Sequence, residues 1–323
     1  VSTITMHCAE IKIKSCTVSF NGKTIKSTPK NDEKKEELSI KLEKKIKGNV
    51  LINLEFQGIL NDRLLGFYRS QYKQNGKTKY LATTQFEAAD ARRAFPCWDE
   101  PEAKATFDIS IITENKFTAI SNMPIKSKKK IKNKTLYKFS KTPIVSTYLI
   151  YLGVGEFEYL TGKTGKVQIR VITTKGNKSK GKFSLDLGKK LLTSYEKYFG
   201  IKYPLPKLDL IAVPDFAAGA MENWAAITFR ETILLYDPKK NNFPLIKSDK
   251  KDEVGLIHNA IISMVTKINS HSKILDEINT SLETKVKQRT KELEYSNKEF
   301  QHMLNNTIEA IWIYENNICV EVN

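Results

Sequence analysis

The residues best suited to chemistry in this chain lie in Gly219-Ala220-Met221-Glu222-Asn223, after Asp215-Phe216-Ala217-Ala218. Small residues at a strand edge let another backbone approach closely. An extended peptide can add to such an edge as a further strand. A carboxylate beside it, Glu222, offers a charge-assisted acceptor for an ammonium group. The ordinary alternative is a small-residue loop carrying a solvated Glu, and composition alone favours that alternative. Gln85 and Glu87 form a second polar pair. Two residues apart on a strand, they would share one face.

Metal-ligating chemistry is thinly represented. The four histidines are His7, His258, His271 and His302, and the four cysteines are Cys8, Cys16, Cys97 and Cys319. No Cys-x-x-Cys pair exists, which argues against a cysteine zinc site. Cys8 and Cys16 have the option of pairing. Four cysteines suit a reducing compartment equally well, and that points to the cytoplasm.

These groups must be held by packed elements. The chain has 323 residues, 40% of them hydrophobic, room for two or three domains of roughly 100–200 residues each. No apolar run reaches the ~18–20 residues that span a bilayer. The start, Val1-Ser2-Thr3-Ile4-Thr5, reads as a strand rather than as a leader peptide. The net charge of +17 comes mostly from lysines scattered along the chain, with no nucleic-acid motif among them. The densest run, Lys126 to Lys134, reads as a solvated hairpin tip.

The first 160 residues read as β structure. Thr17–Phe20, Asn21-Gly22 and Lys23–Ile25 form a hairpin, because Asn-Gly supplies the positive φ values of a type I′ turn. Leu38–Leu42, Val50–Phe56, Thr106–Ile112 and Leu136–Phe139 read as further strands. Arg63 to Lys79 reads as turns and loop. Val167–Ile172 and Leu208–Pro214 read as strands, and so does Trp224–Phe229. Ser184 to Phe199 reads as an amphipathic helix with Leu187, Leu191, Leu192, Tyr195 and Tyr198 on one face and Gly200 as its cap. Strand, helix, strand implies a new α/β domain.

Three blocks of sequence carry a family resemblance: Tyr80 to Phe107, YLATTQFEAADARRAFPCWDEPEAKATF; Lys141 to Tyr159, KTPIVSTYLIYLGVGEFEY; and Pro214 to Pro238, PDFAAGAMENWAAITFRETILLYDP. In order and spacing they resemble the M1 zinc aminopeptidases, the family of puromycin-sensitive aminopeptidase, over roughly residues 3 to 240. Ala225 stands where Gly is more usual. The resemblance implies a saddle-like antiparallel β-sandwich domain at 1–158. It implies the incomplete start of a thermolysin-like α/β domain at 159–240. It also implies that Glu222 binds a peptide's α-amine, that the backbone of Gly219, Ala220 and Met221 pairs with the peptide beside Asn223, and that Gln85 and Glu87 reach the same pocket. Arg92, Arg93, Asp99 and Glu100, in the first block, read as a structural salt-bridge cluster.

In that family a His-Glu-x-x-His helix follows, with zinc as cofactor. Here His258 is followed by Asn259-Ala260-Ile261-Ile262, and no histidine forms the pattern. No catalytic and no metal residue is therefore assigned, no zinc is expected to bind this chain, and it is expected to be inactive as a peptidase. From about Lys239 the composition changes. Val254, Ile257, Ile261, Met264, Ile268, His271, Leu275, Ile278 and Leu282 form a heptad seam, with a stutter before Val286, Leu293 and Phe300. Residues 241–300 resemble a HAMP module and coiled-coil linker, a route to self-association. Residues 301–323 resemble the opening of a PAS domain. Three readings stay open: a fragment joined near 239–250 with no function of its own, a peptide-sensing signalling fusion, or a structural or interaction protein whose pocket is vestigial.

Overall fold

The computed structural model describes residues 1–236, helical residues 284, 286–291, 294–295 and 297–298, and two short strands near the C-terminus. The chain divides into two compact units, Val1–Asn242 and Phe243–Asn323.

The first unit is mainly β. Strands β1 (Thr3–His7), β2 (Lys12–Phe20), β3 (Lys23–Ile25), β4 (Ser27–Asp32), β5 (Glu37–Leu42) and β6 (Val50–Gln57) form two antiparallel sheets, ordered β1-β5-β4 and β3-β2-β6. Between them lies a core of Ile4, Met6, Val18, Leu38, Ile40 and their neighbours. The alternation of β5, with Leu38, Ile40 and Leu42 buried, is what one covered sheet face demands. Asn21 and Gly22 take φ values of 50° and 75°, and Phe20 pairs with Lys23, as expected for the two-residue hairpin. Cys8, Cys16 and Cys97 are free thiols, so the Cys8–Cys16 pairing is not made. Cys8 is instead fully buried in this apolar core, which pushes its thiol up to about 11.

The segment read as turns and loop, Arg63 to Lys79, is instead largely a hairpin. It comprises β7 (Gly66–Gln74) and most of the first half of β8 (Lys77–Gln85), joined by a second Asn-Gly turn at Asn75-Gly76. The inward positions of β7 are Gly66, Tyr68, Ser70 and Tyr72, too polar to show as hydrophobic alternation. Only part of the expected Thr106–Ile112 strand forms, as β9 (Ser110–Glu114); Phe107 bonds irregularly to Thr142. After β10 (Thr118–Ser121), the lysine run is itself a strand, β11 (Ile125–Ile131), rather than a tip. It pairs with β12 (Lys134–Phe139) around a turn at Lys132 and Asn133. Exposed along its length at a sheet edge, β11 uses lysine as natural edges do, to discourage strand addition.

Strand β13 (Leu152–Gly155) completes the sheet β10-β13-β8-β7. Five strands then form a mixed sheet ordered β14-β15-β16-β18-β17. They are β14 (Phe157–Thr164), β15 (Val167–Thr174), β16 (Lys207–Val213), β17 (Ala220–Met221) and β18 (Ala226–Arg230). Helix α1 (Lys182–Phe199) connects the parallel pair β15 and β16 and ends at Gly200, whose φ of 68° closes it. Its buried face differs from the one expected. Leu185 and Leu192 pack on the sheet, while Tyr195 and Tyr198 are exposed and cluster with Phe199. Spacing identifies an apolar stripe, but the sheet covers only its first part. A one-turn helix α2 (Glu231–Leu234) follows β18.

In the second unit, the described residues between 284 and 298 are helical. Strands β19 (Trp312–Glu315) and β20 (Ile318–Glu321) form an antiparallel hairpin. The heptad seam from Val254 to Leu282, most of the HAMP-like stretch, and the PAS-like opening apart from this hairpin lie outside the described residues. No described helix is long and apolar enough to cross a membrane.

Candidate amine-binding site

Met221 is the anchor of the Gly219–Asn223 segment. It is 1% exposed and belongs to a core that also holds Phe86, Ile120, Tyr151, Ile211, Phe216 and Ala226. Phe86 lies between Gln85 and Glu87, so both candidate segments are pinned into one core by their central residue. Glu222 and Glu87, next to those anchors, are exposed. Gln85 closes β8, but Glu87 lies beyond the strand, in a turn that begins with a cis Glu87–Ala88 peptide. Gln85 and Glu87 therefore do not share a strand face.

Ala220 and Met221 pair with Phe229 and Thr228, making β17 the edge of the mixed sheet. The outer side of β17 has no strand partner among the described residues. The Gly219 carbonyl accepts from the Arg230 N–H at 3.0 Å, and the Asn223 carbonyl accepts from the Ala226 N–H at 3.0 Å. The Arg230 guanidinium donates to the carbonyls of Phe216 and Ala217 and so holds the approach to the loop.

The β domain clamps this loop from both sides. The Tyr68 hydroxyl donates to the Asp215 carbonyl at 3.0 Å, and the Asp215 N–H donates to the Ser70 hydroxyl at 2.9 Å. On the far side, Asn122 donates to the carbonyls of Trp224 and Leu149, both at 2.8 Å, and accepts from the Tyr151 N–H at 2.8 Å. None of these clamps is visible in the sequence. Asn122 and Trp224 are 102 positions apart, and a lone Asn carries no local signal of its partners.

Two buried carbonyl oxygens here lack a hydrogen-bond partner among the described residues: Gln85 Oε1 and Asn223 Oδ1. The Asn223 amide group donates to Thr228 Oγ1 at 3.3 Å. A buried acceptor left unpaired costs roughly 1–3 kcal/mol. Glu87 and Glu222 form no ion pair or side-chain hydrogen bond among the described residues. Two free carboxylates and two unsatisfied carbonyls are acceptors only, a set that suits a cation with several N–H donors.

Ala225 has a φ of 58° and is 2% exposed. This is the left-handed region that glycine enters without a Cβ penalty. Its carbonyl accepts from the Asp209 N–H at 3.0 Å and from Lys207 Nζ at 2.9 Å.

Among the described residues no group of three or more His, Cys, Asp or Glu is placed to hold a metal ion. His7 Nδ1 accepts the Asp99 N–H at 3.0 Å and serves the fold. His258, His271 and His302 lie outside the described residues. Arg92 and Arg93 do form a structural network, with Asp99, Glu36, Glu10 and Asp90. Glu100 takes no part in it.

Comparison with known proteins finds the same family over two stretches of the chain. Residues 1–149 match the peptidase M1 N-terminal domain, and residues 183–258 match the start of the peptidase family M1 domain. The chain is 50% identical over 188 residues to Aminopeptidase M1 of Arabidopsis thaliana, covering 58% of this chain and 21% of that protein. It is 41% identical over 260 residues to mitochondrial Aminopeptidase 2 of Saccharomyces cerevisiae, covering 79% of this chain and 27% of that protein. It is 49% identical over 212 residues to puromycin-sensitive aminopeptidase of Caenorhabditis elegans, covering 64% and 22%. The matched stretch thus spans about a quarter of the length of these relatives.

Proposed function

We propose, on the premise of M1 aminopeptidase homology over about 260 residues, that this chain binds the amino terminus of a peptide. The β domain and the start of a thermolysin-like domain would meet at this site. The peptide backbone adds to the free edge of β17. Glu222 receives its ammonium, with Glu87 and the carbonyl oxygens of Gln85 and Asn223 as further acceptors. The observation that carries this reading is that two segments pinned into one core by Phe86 and Met221 carry the exposed carboxylates Glu87 and Glu222 and the unsatisfied oxygens of Gln85 and Asn223.

Zinc-dependent hydrolysis needs a ligand set such as His-Glu-x-x-His. The sequence has no His-Glu-x-x-His pattern, and the described residues fit no zinc centre. The chain by itself therefore binds and orients, and releases no amino acid. Self-association through the heptad segment is a separate part of the proposal, resting on its apolar spacing; sedimentation at rising concentration tests it.

Calorimetry with a short free-amine peptide and its N-acetylated form tests the amine site. The free peptide is expected to bind at least about tenfold more tightly, since one charge-assisted hydrogen bond contributes about 1.5–3 kcal/mol. Glu222→Gln is expected to reduce the difference severalfold, leaving what Glu87 and the two carbonyl oxygens contribute. Equal binding of both peptides defeats the reading. Chelator-sensitive release of amino acids by the pure chain overturns the statement that it does not cut.

A further inference from the structure

Strands β15 and β16 pair in parallel with Gln168 beside Lys207 and Arg170 beside Asp209. One face of this pair therefore carries Gln168, Arg170, Lys207 and Asp209. Arg170 donates to Asp209 through Nε at 2.7 Å and Nη2 at 2.6 Å. Lys207 Nζ donates to the same carboxylate at 2.6 Å and to the Ala225 carbonyl at 2.9 Å. Asp209 and Lys207 are buried, at 0% and 2% exposure. Two cations thus share one carboxylate, and the triad carries one excess positive charge, with Lys207 buried and Arg170 partly exposed.

Both cations have donors to spare. An ammonium has three N–H groups and a guanidinium five, while Lys207 uses two and Arg170 two among the described residues. Both line a cavity of about 240 Å³, together with Gln168 and with Ile120, Met123 and Phe139 among its apolar lining. None of the seven residues of the amine-binding site lines it. One carboxylate shared by two cations compensates Lys207 only in part. Burial holds its ammonium down to about 8 from 10.5, with Arg170 adding to the effect and Asp209 only partly offsetting it. The cavity is smaller than the roughly 300–1,000 Å³ of drug-sized pockets, so its occupant is small.

We infer that the cavity beside Lys207, Asp209 and Arg170 is an anion site for a small carboxylate with an apolar body. The carboxylate takes the spare donors of Lys207 and Arg170 and brings the cluster to neutrality. The apolar body lies against Ile120, Met123 and Phe139.

Calorimetry of the 323-residue chain with isovalerate and with isovaleramide, its neutral counterpart, tests the site. Isovalerate is expected to bind at least about tenfold more tightly, because both ligands accept from the same ionised donors but only the carboxylate offsets the excess positive charge. Gln168 is exposed on β15, so its substitution leaves the core alone. Gln168→Glu is expected to weaken isovalerate binding severalfold, and Gln168→Lys to strengthen it. The inference is overturned by equal binding of acid and amide, by absence of binding, or by indifference to both charge changes at Gln168. Chloride binding as tightly as isovalerate overturns the assignment to a carboxylate with an apolar body.

Discussion

Replacing Lys207 by methionine should cost this protein little or even stabilise it near neutral pH. Methionine keeps the unbranched stem packed and removes only the ammonium. Asp209 retains both hydrogen bonds from Arg170, and the Ala225 carbonyl retains the Asp209 N–H. No buried acceptor is orphaned. What disappears is a charge that burial disfavours: the fall from 10.5 to about 8 corresponds to about 3 kcal/mol against the ammonium in the folded state. Lys207→Met is therefore expected to lie between neutral and about 3 kcal/mol more stable near pH 7. Asp209→Asn is the opposite case. It leaves Arg170 and Lys207 facing each other without a carboxylate, and removing one partner of a buried ion pair costs about 3–5 kcal/mol. The pH dependence separates charge from packing. Between about pH 8 and 10.5 the unfolded lysine binds more protons than the folded one, so the parent gains stability as pH rises. The variant has no such gain, and its advantage should shrink. Urea unfolding followed by tryptophan fluorescence, at about pH 7 and about pH 9.5, measures both quantities. The reasoning is refuted if Lys207→Met destabilises as much as Asp209→Asn. It is equally refuted if the variant's difference from the parent is the same at both pH values.

Further outcomes follow from single contacts. Asn122→Ala removes the bonds to Trp224, Leu149 and Tyr151 and strands buried backbone groups; a loss of about 2–3 kcal/mol in urea unfolding is expected, with weaker free-amine peptide binding. Gly153→Ala brings a methyl to 2.5 Å from the hydroxyl of Tyr151, which is fully buried, and should cost about 1–3 kcal/mol by overpacking, read as a lower melting temperature. Burial raises the Cys8 thiol from 9.0 to about 11. Its contribution is complete below pH 9 and is lost as pH rises from about 9 to 11, up to about 3 kcal/mol. Cys8→Ala should flatten that part of the stability–pH curve.

The sequence by itself determined what depends on a few neighbouring residues. Asn21-Gly22 specified its hairpin because two positive φ values suffice for the turn, and Gly200 marked the end of α1 for the same local reason. The Gly219–Asn223 motif was legible as a pattern, and Met221 sits in it as the buried anchor. The tertiary structure decided how these pieces are used. It set the buried face of α1, which periodicity placed toward Tyr195 and Tyr198 but the sheet covers only at Leu185 and Leu192. It made a strand of Gly66–Gln74, whose Tyr and Ser positions acquire a core only from distant partners. It left Gln85 Oε1 and Asn223 Oδ1 unpaired, and it brought Arg170 and Asp209 together from 39 positions apart. Turns and caps are fixed by local backbone angles. Burial, hydrogen-bond satisfaction and charge balance are sums over neighbours that only strand register and packing bring together.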